Sequence, residues 1–478
     1  MKKLYSLIFF YFAVASLFSQ TEILNENISP FKHDLLYSQD NYGRSDIENA
    51  LNDVFDIITS ASSISGFNAA ILLPDGTQWT RATGWAKDTI EEMRTDHHMG
   101  MGSITKTFVA ATVMKMEEEG LLSINDAIGK YISPSPNIDT SVTISQLLNH
   151  TTGFNDYLNE NQSTIMVWSE NVDSIWHMDT ILNNYVLQPN FEPGFMWSYS
   201  NTNYLLAGKV IESITGKPWY EATRQYIIDP LELEYTYSAP WENKYEDLLA
   251  HPFGDINGDG MPTDVTNVIT TMDGIFSLAS SAGNLVSTPT DLNRGIKGIF
   301  DGTLLSENSL DKMKVDYLNS PGSGITYGLG TLSFDLGQEN YGHNGSIIHQ
   351  STSLYFPELD IAISCQQNEA RIGFSFVDIN DLLENLLNTY LNCLETSSAQ
   401  DFTTNEFKVF PNPTSEVLNI QIGDGSQYEG IGKIYNSFGW LTKEFEVKKG
   451  ETQIDISGLK EGIYFLNTEN HTRQFIKM

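Results

Sequence analysis

The sequence predicts an α/β (α+β) body built on one central antiparallel sheet, followed by a small all-β C-terminal sandwich. Both ends of the body supply strands to that sheet, and a helical subdomain is inserted between them. Three observations predict this. Strand-like runs stand near the start of the body (Phe67–Leu73 and Gln78–Trp85) and near its end (Gly324–Phe334 and Ser351–Gln367), with mostly helical spacing between. After Leu394 the chain turns polar, and short strand runs then alternate with turns. The charge is also uneven: 27 Lys and Arg against 61 Asp and Glu give −34, yet residues 406–478 hold 8 basic and 10 acidic side chains, so nearly all the excess lies on the body.

In chain order, Lys2 and Lys3 precede the apolar stretch Leu4–Phe18, with small residues (Ala13, Ala15, Ser16, Ser19) towards its end. This is the pattern of a signal peptide over residues 1–20, cut near Ser19 or Gln20. The stretch is shorter than the ~20 apolar residues a bilayer span needs; an uncleaved anchor is the alternative. Residues 21–44 form a leader. Ile47, Leu51, Val54, Phe55 and Ile58 give Asp46–Ser60 a helical period. Pro74-Asp75-Gly76 turns the first two strands into a hairpin. Helical runs follow at Lys106–Gly120, Ile144–Asn149, Asn203–Thr215 and Trp219–Ile227, and Val377–Leu394 closes the body with Leu382, Leu383, Leu386, Leu387, Tyr390 and Leu391 on one side. The expected organisation is a body over 45–394, a linker over 395–405 and a module over 406–478 with strands at Lys408–Phe410, Val417–Ile422, Gly432–Tyr435, Thr452–Ile456 and Ile463–Leu466.

Composition narrows the function classes. Hydrophobic residues at 40% with 18% charged argue against wholesale disorder. The acidic balance argues against a nucleic-acid partner, because phosphate binding needs clustered Lys and Arg. Two cysteines, Cys365 and Cys393, are too few for a disulfide scaffold or a cysteine-based zinc site; they read as two buried thiols, with a bridge as the alternative in an exported chain. His97-His98 reads as surface loop. Asp255, Asn257 and Asp259 open like a calcium loop, but its twelfth position is Thr266 rather than Glu, so a turn is expected there and a bound calcium ion is the lesser reading.

The chemistry sits in three short segments. In Met101-Gly102-Ser103-Ile104-Thr105-Lys106, Ser103 and Lys106 are three apart at a helix start, so they share a face. A serine hydroxyl needs a base to act as a nucleophile. A lysine can be that base when burial disfavours its ammonium form. N-capping is the structural alternative for Ser103. Trp197-Ser198-Tyr199-Ser200-Asn201-Thr202-Asn203-Tyr204 offers a phenol (Tyr199) to relay a proton and an amide (Asn201) to orient substrate or lysine, or else N-capping by Asn201 or Thr202 and ordinary aromatic packing. Tyr341-Gly342-His343-Asn344-Gly345-Ser346 sets a histidine between glycines beside a strand, or else is a glycine-rich turn with a surface histidine.

Ser-x-x-Lys, Tyr-x-Asn and His-x-Gly in this order resemble the serine beta-lactamase and penicillin-binding family, in its branch of DD-peptidases, class C beta-lactamases and esterases. Leu147-Leu148-Asn149-His150-Thr151-Thr152-Gly153, Glu192-Pro193-Gly194, Ser281–Leu292 and Tyr327-Gly328-Leu329-Gly330 extend the resemblance over roughly residues 45–394. It implies a beta-lactamase-like fold and Ser103 as the acylated nucleophile. Lys106 and Tyr199 become general base and acid, without a choice of which takes the first proton, and Asn201 orients substrate. His343 stands where many members have lysine and supports the proton relay. Gly345 supports the oxyanion strand, and the Ser346 N–H is a second oxyanion donor opposite that of Ser103. No metal or other cofactor is implied.

Val409-Phe410-Pro411-Asn412-Pro413, with Gly462-Ile463-Tyr464 and the Phe475–Met478 end, resembles the type A sorting domain of type IX secretion. A glycan-binding or adhesive sandwich is the structural alternative. Together these imply a secreted or cell-surface serine hydrolase that forms an acyl-enzyme on amide or ester bonds. Its partners are D-amino-acid peptides, esters or beta-lactams, and the type IX machinery through the tail. The alternatives are a beta-lactamase and a catalytically silent binding module of the same fold.

Overall fold

The structure, a computed structural model, describes residues 44–398 and 407–477, apart from 61, 63–64, 243–244, 255–261, 268, 270, 319, 323 and 370–376 in the first stretch and 411–413, 423–429, 437–440, 449–450, 461 and 469–470 in the second. The signal peptide, the leader up to residue 43, the Asp255–Gly260 loop and linker residues 399–405 lie outside the described residues.

Among the described residues of the body, seven strands form one antiparallel sheet. They are β1 (Phe67–Leu72), β2 (Gln78–Thr83), β3 (Ile325–Tyr327), β4 (Leu332–Phe334), β5 (Tyr341–Ser346), β6 (Gln350–Phe356) and β7 (Ile361–Gln367). Their order is β3-β4-β5-β6-β7-β1-β2. The β1–β2 hairpin joins the late strands through β1 and β7, which pair from Phe67 with Gln367 to Leu72 with Ala362. Both ends of the body therefore build one sheet, as expected. β1, β6 and β7 are buried along their whole length, the condition of strands covered on both faces. β4 meets β5 at Leu332 and Gly342.

Helices predicted at the start, middle and end of the body are present as α1 (Arg44–Thr59), α2 (Ile104–Glu118), α3 (Ile144–Leu148), α4 (Asn201–Thr215) and α6 (Ile379–Ser398). α2 is buried on every side from Ile104 to Met114, so it runs through the core rather than over it. Thr143 and Gln146 form a reciprocal capping box that starts α3. Gly216, at φ 67°, ends α4 in the left-handed conformation that glycine adopts without a Cβ clash. α4 begins two residues before the predicted Asn203, which puts Asn201 in its first turn. The run at Trp219 is helical to Thr223 and then widens into a π turn over Arg224–Ile228. α6 continues four residues past Leu394.

Other helices were not foreseen, among them Gln162–Glu170, Asp273–Ala279, Glu307–Lys314 and α5 (Pro289–Phe300). α5 lies against β1, β6 and β7. Gly295 and Gly298 hide it, because glycine is a poor helix former. Their missing Cβ atoms permit the packing: a Cβ on Gly295 would lie 2.7 Å from the Phe108 ring, and one on Gly298 would lie 2.5 Å from Leu231.

The His97-His98 expectation is corrected: both side chains are buried. His97 Nδ1 accepts the Arg94 N–H at 2.8 Å, and its Nε2 lies 3.1 Å from Glu91. His98 packs among the rings of Tyr235, Tyr237 and Tyr245. Adjacent histidines with no apolar period around them carry no sequence signal for such enclosure.

The tail has two sheets. One orders β8 (Phe407–Phe410), β9 (Val417–Ile422) and β12 (Glu451–Asp455); the other orders β11 (Leu441–Val447), β10 (Gly430–Asn436), β13 (Gly462–Thr468) and β14 (His471–Lys477). Leu418, Ile420, Ile434, Ile454, Leu466 and Phe475 from both sheets share one apolar cluster. That is the expected sandwich, with β11 and β14 added.

Cys365 and Cys393 are both buried, and neither is in a disulfide. Iodoacetamide in denaturant, without reductant, is expected to add two carbamidomethyl groups to the intact chain by mass spectrometry, and none to the folded chain.

Candidate active site

The site begins in a short loop entering α2. Met99 and Gly100 pair with Ser287 and Val286, and the Met101 N–H continues that ladder to Leu285 O at 2.8 Å. Gly102 then turns the chain at φ 53°. A Cβ there would stand 2.6 Å from Ser346 N, so both the dihedral and the space require glycine. Ser103 caps α2 by position, but its side chain makes no capping hydrogen bond. Its hydroxyl is therefore free for other partners, against the capping alternative.

One turn on, Lys106 is fully buried. Its Nζ lies 3.0 Å from Ser103 Oγ, 2.9 Å from Asn201 Oδ1 and 2.6 Å from Ala282 O. Burial pushes the ammonium down to about 7, opposed by the charge of Asp156. All three partners are oxygens that can accept from Nζ; loss of one proton leaves two N–H bonds to the amide and carbonyl oxygens and a lone pair toward the serine.

Tyr199 approaches from the segment before α4 and donates its hydroxyl to Ser103 Oγ at 2.7 Å. Desolvation and the neighbouring Tyr327 hold its phenol well above the usual range. His150 backs it, with ring centroids 4.3 Å apart. The N–H of Ser200 donates to His150 Nδ1 at 3.2 Å, which leaves Nε2 as the protonated nitrogen, 3.1 Å from the Tyr327 hydroxyl. On the other side of that hydroxyl, His343 Nε2 lies at 3.3 Å, while its Nδ1 bonds to Asn344 O.

The structure thus gathers Ser103, Lys106, Tyr199 and Asn201 within direct hydrogen-bonding reach. His343 stands one step away: among the described residues its side-chain hydrogen bonds go to Tyr327 and to Asn344 O, and it reaches the cluster through Tyr327. It is buried in β5 rather than exposed in a turn, and burial with the nearby Lys106 pushes it down to about 3, so it is neutral. Gly345 and Ser346 bring the end of β5 against the nucleophile loop: a Cβ on Gly345 would lie 2.0 Å from Met101 O and 2.6 Å from Ser103 N. Asp255, Asn257 and Asp259 lie outside the described residues.

Sequence reasoning missed one contributor, Asp156, and holds two others, Tyr204 and His150, only within motifs. Asp156 is buried and bonds Asn201 Nδ2 at 2.9 Å. Tyr204 presents its ring 5.6 Å from Lys106 Nζ. His150 lies within the Leu147–Gly153 segment. No periodicity marks Asp156; its place three residues beyond Gly153 is the one local signal.

Residues 51–382 match the family described as Beta-lactamase, and residues 408–478 match the Secretion system C-terminal sorting domain. Over 284 residues the chain is 28% identical to Penicillin-binding protein 4* of Bacillus subtilis (strain 168), covering 55% of this chain and 59% of that protein. Over 249 residues it is 26% identical to Teichoic acid D-alanine hydrolase of Staphylococcus aureus, covering 50% and 56%. The chain therefore spans under two thirds of the length of these relatives. A solved structure of D-amino acid amidase from Ochrobactrum anthropi SV3, complexed with L-phenylalanine amide, superposes with TM-score 0.63 at 26% identity, covering 73% of this chain and 99% of that one.

In protein with nitrogen-15 at the lysine side chains, NMR is expected to find one Nζ, lost in Lys106→Ala, titrating near 7. A Lys106 that holds its proton to pH 10 would contradict this electrostatic picture.

Proposed function

We propose that this chain, which belongs to the beta-lactamase family, is an exported serine hydrolase that cleaves amide or ester bonds through an acyl-enzyme on Ser103. The observation that carries the reading is the Ser103 hydroxyl lying 3.0 Å from a buried lysine amine and 2.7 Å from a phenol.

Lys106, uncharged above about pH 7, takes the Ser103 proton as Oγ bonds to the substrate carbonyl carbon. The carbonyl oxygen becomes an oxyanion between the N–H groups of Ser103 and Ser346. Tyr199 keeps its proton over the working range and is the acid: it protonates the departing amine or alcohol as the bond to carbon breaks. Lys106 then returns its proton to the tyrosine side of the site. A water molecule attacks the ester with Lys106 again as base, releasing the acid and restoring Ser103. Asn201 holds the amine in line throughout.

The substrate class follows from His343. A neutral imidazole beside the oxyanion strand supplies no cation for a substrate carboxylate, so the site favours acyl groups ending in an amide or ester over peptides ending in a free carboxylate. The relatives named for D-alanine and D-amino acid substrates support D-configured acyl donors. The sorting tail supports export to the cell surface or beyond, where such donors come from outside the cell.

A fluorophosphonate or fluorescent penicillin is expected to label Ser103 in the wild type and not in Ser103→Ala, which loses kcat/KM for D-amino-acid amides by ~10³-fold or more. Equal turnover by the two proteins would sink the proposal. Gly345→Ala, whose Cβ meets Met101 O at 2.0 Å, is expected to slow Ser103 labelling by roughly 10²-fold. Unchanged labelling would separate β5 from the chemistry.

A further inference from the structure

We propose that Asp156 is a positioning residue whose ionised carboxylate locks the Asn201 amide with its oxygen toward Lys106 and supplies the buried counter-charge of that lysine. The inference deepens the hydrolase reading and rests on it, since it assigns what sets the base.

The geometry is a three-part chain. Lys106 Nζ donates to Asn201 Oδ1 at 2.9 Å, and Asn201 Nδ2 donates to Asp156 Oδ2 at 2.9 Å and Oδ1 at 3.3 Å. Asp156 Oδ1 also takes the backbone N–H groups of Leu158 at 2.9 Å and Asn159 at 3.2 Å, and Oδ2 takes Asn159 Nδ2 at 2.8 Å. Every side-chain partner the carboxyl has among the described residues is thus an N–H donor. A protonated carboxyl would aim its O–H at one of them, so the donor geometry selects the carboxylate, although burial leaves its pKa raised even with these hydrogen bonds.

That choice fixes the amide. Reversed, Asn201 would set its oxygen against the carboxylate and its NH₂ against the amine, losing both bonds. With Asp156 ionised, one orientation survives, and Lys106 is offered an acceptor at a set place. The carboxylate also acts on Lys106 through space: it favours the ammonium, opposing the desolvation that favours the free amine.

The other groups facing this pair do not replace that charge. His150, His343, Tyr199, Tyr204 and Tyr327 surround Lys106 in neutral form, the histidines held down and the phenols held up by burial. Glu160 lies beyond Asp156 and accepts its backbone N–H at 3.0 Å.

The test compares wild type, Asp156→Asn and the charge swap Asp156→Asn with Asn201→Asp. It follows the pH dependence of Ser103 acylation by a D-phenylalanine ester, located by mass spectrometry, together with the Lys106 Nζ titration. Removing the carboxylate removes the influence that raises Lys106. In Asp156→Asn the acid limb and the Nζ midpoint are therefore expected to fall by about one pH unit, with the plateau rate down about tenfold as the amide loosens. The swap brings the charge beside the amine, so both values are expected to rise above wild type. An acid limb and Nζ midpoint unmoved in Asp156→Asn would overturn the proposal even where the rate falls, because a merely structural aspartate lowers rate without moving either. If Asp156→Asn does not fold, the swap decides: recovered fold with the raised midpoint supports the pairing, and no recovery overturns it. If wild-type Ser103 carries no acyl group, the hydrolase reading itself has failed, which is a separate result.

Discussion

The burial of one amine organises the rest of this body. Lys106 sits wholly inside, where an ammonium is disfavoured, and its three partners at 2.6–3.0 Å come from the α2 entry loop, the first turn of α4 and the turn at Ala282. A buried polar group without partners costs stability, so these segments must converge. The convergence that satisfies the lysine is the same one that brings a serine and a phenol to it. Folding and the proposed chemistry therefore share one constraint, and the desolvation cost of hiding the amine is offset by the large apolar core around α2.

Much of the architecture was legible because its signals are local. The β1–β2 hairpin announces itself by a Pro-Asp-Gly turn between apolar runs, and the Ser103–Lys106 pair by helical spacing. What stayed hidden depends on distant contacts. Asp156 acquires meaning only when Asn201, 45 positions on, folds against it. His98 is enclosed by three tyrosines that lie far along the chain. α5 was masked by Gly295 and Gly298, residues that weaken a free helix yet let this one settle on Phe108 and Leu231. His343 was named from its motif, but its place one tyrosine away from the cluster could come only from coordinates.

Close backbone approach is the second organising element. Gly102 and Gly345 face each other's chains so tightly that a single methyl on either would enter the opposite backbone. The nucleophile loop and the end of β5 thereby become one surface, although they lie some 240 residues apart in sequence. Ser103 is thus flanked by main chain on two sides. The neutral His343 behind this surface has both ring nitrogens committed, to Tyr327 and to Asn344.

The seam between β1 and β7 carries a temporal meaning. Phe67 and Gln367 are partners in the sheet, yet 300 residues of chain separate them. Closing so long a loop is paid in entropy before any contact returns it. A growing or threading polypeptide holds its first hairpin without a neighbour until nearly the whole body has emerged. Up to that moment β5, which joins the sheet through β6 and β7, has no finished platform to stand on, and the nucleophile loop has no wall. The nucleophile loop and β5 thus come together late, once the last strands of the body are in place.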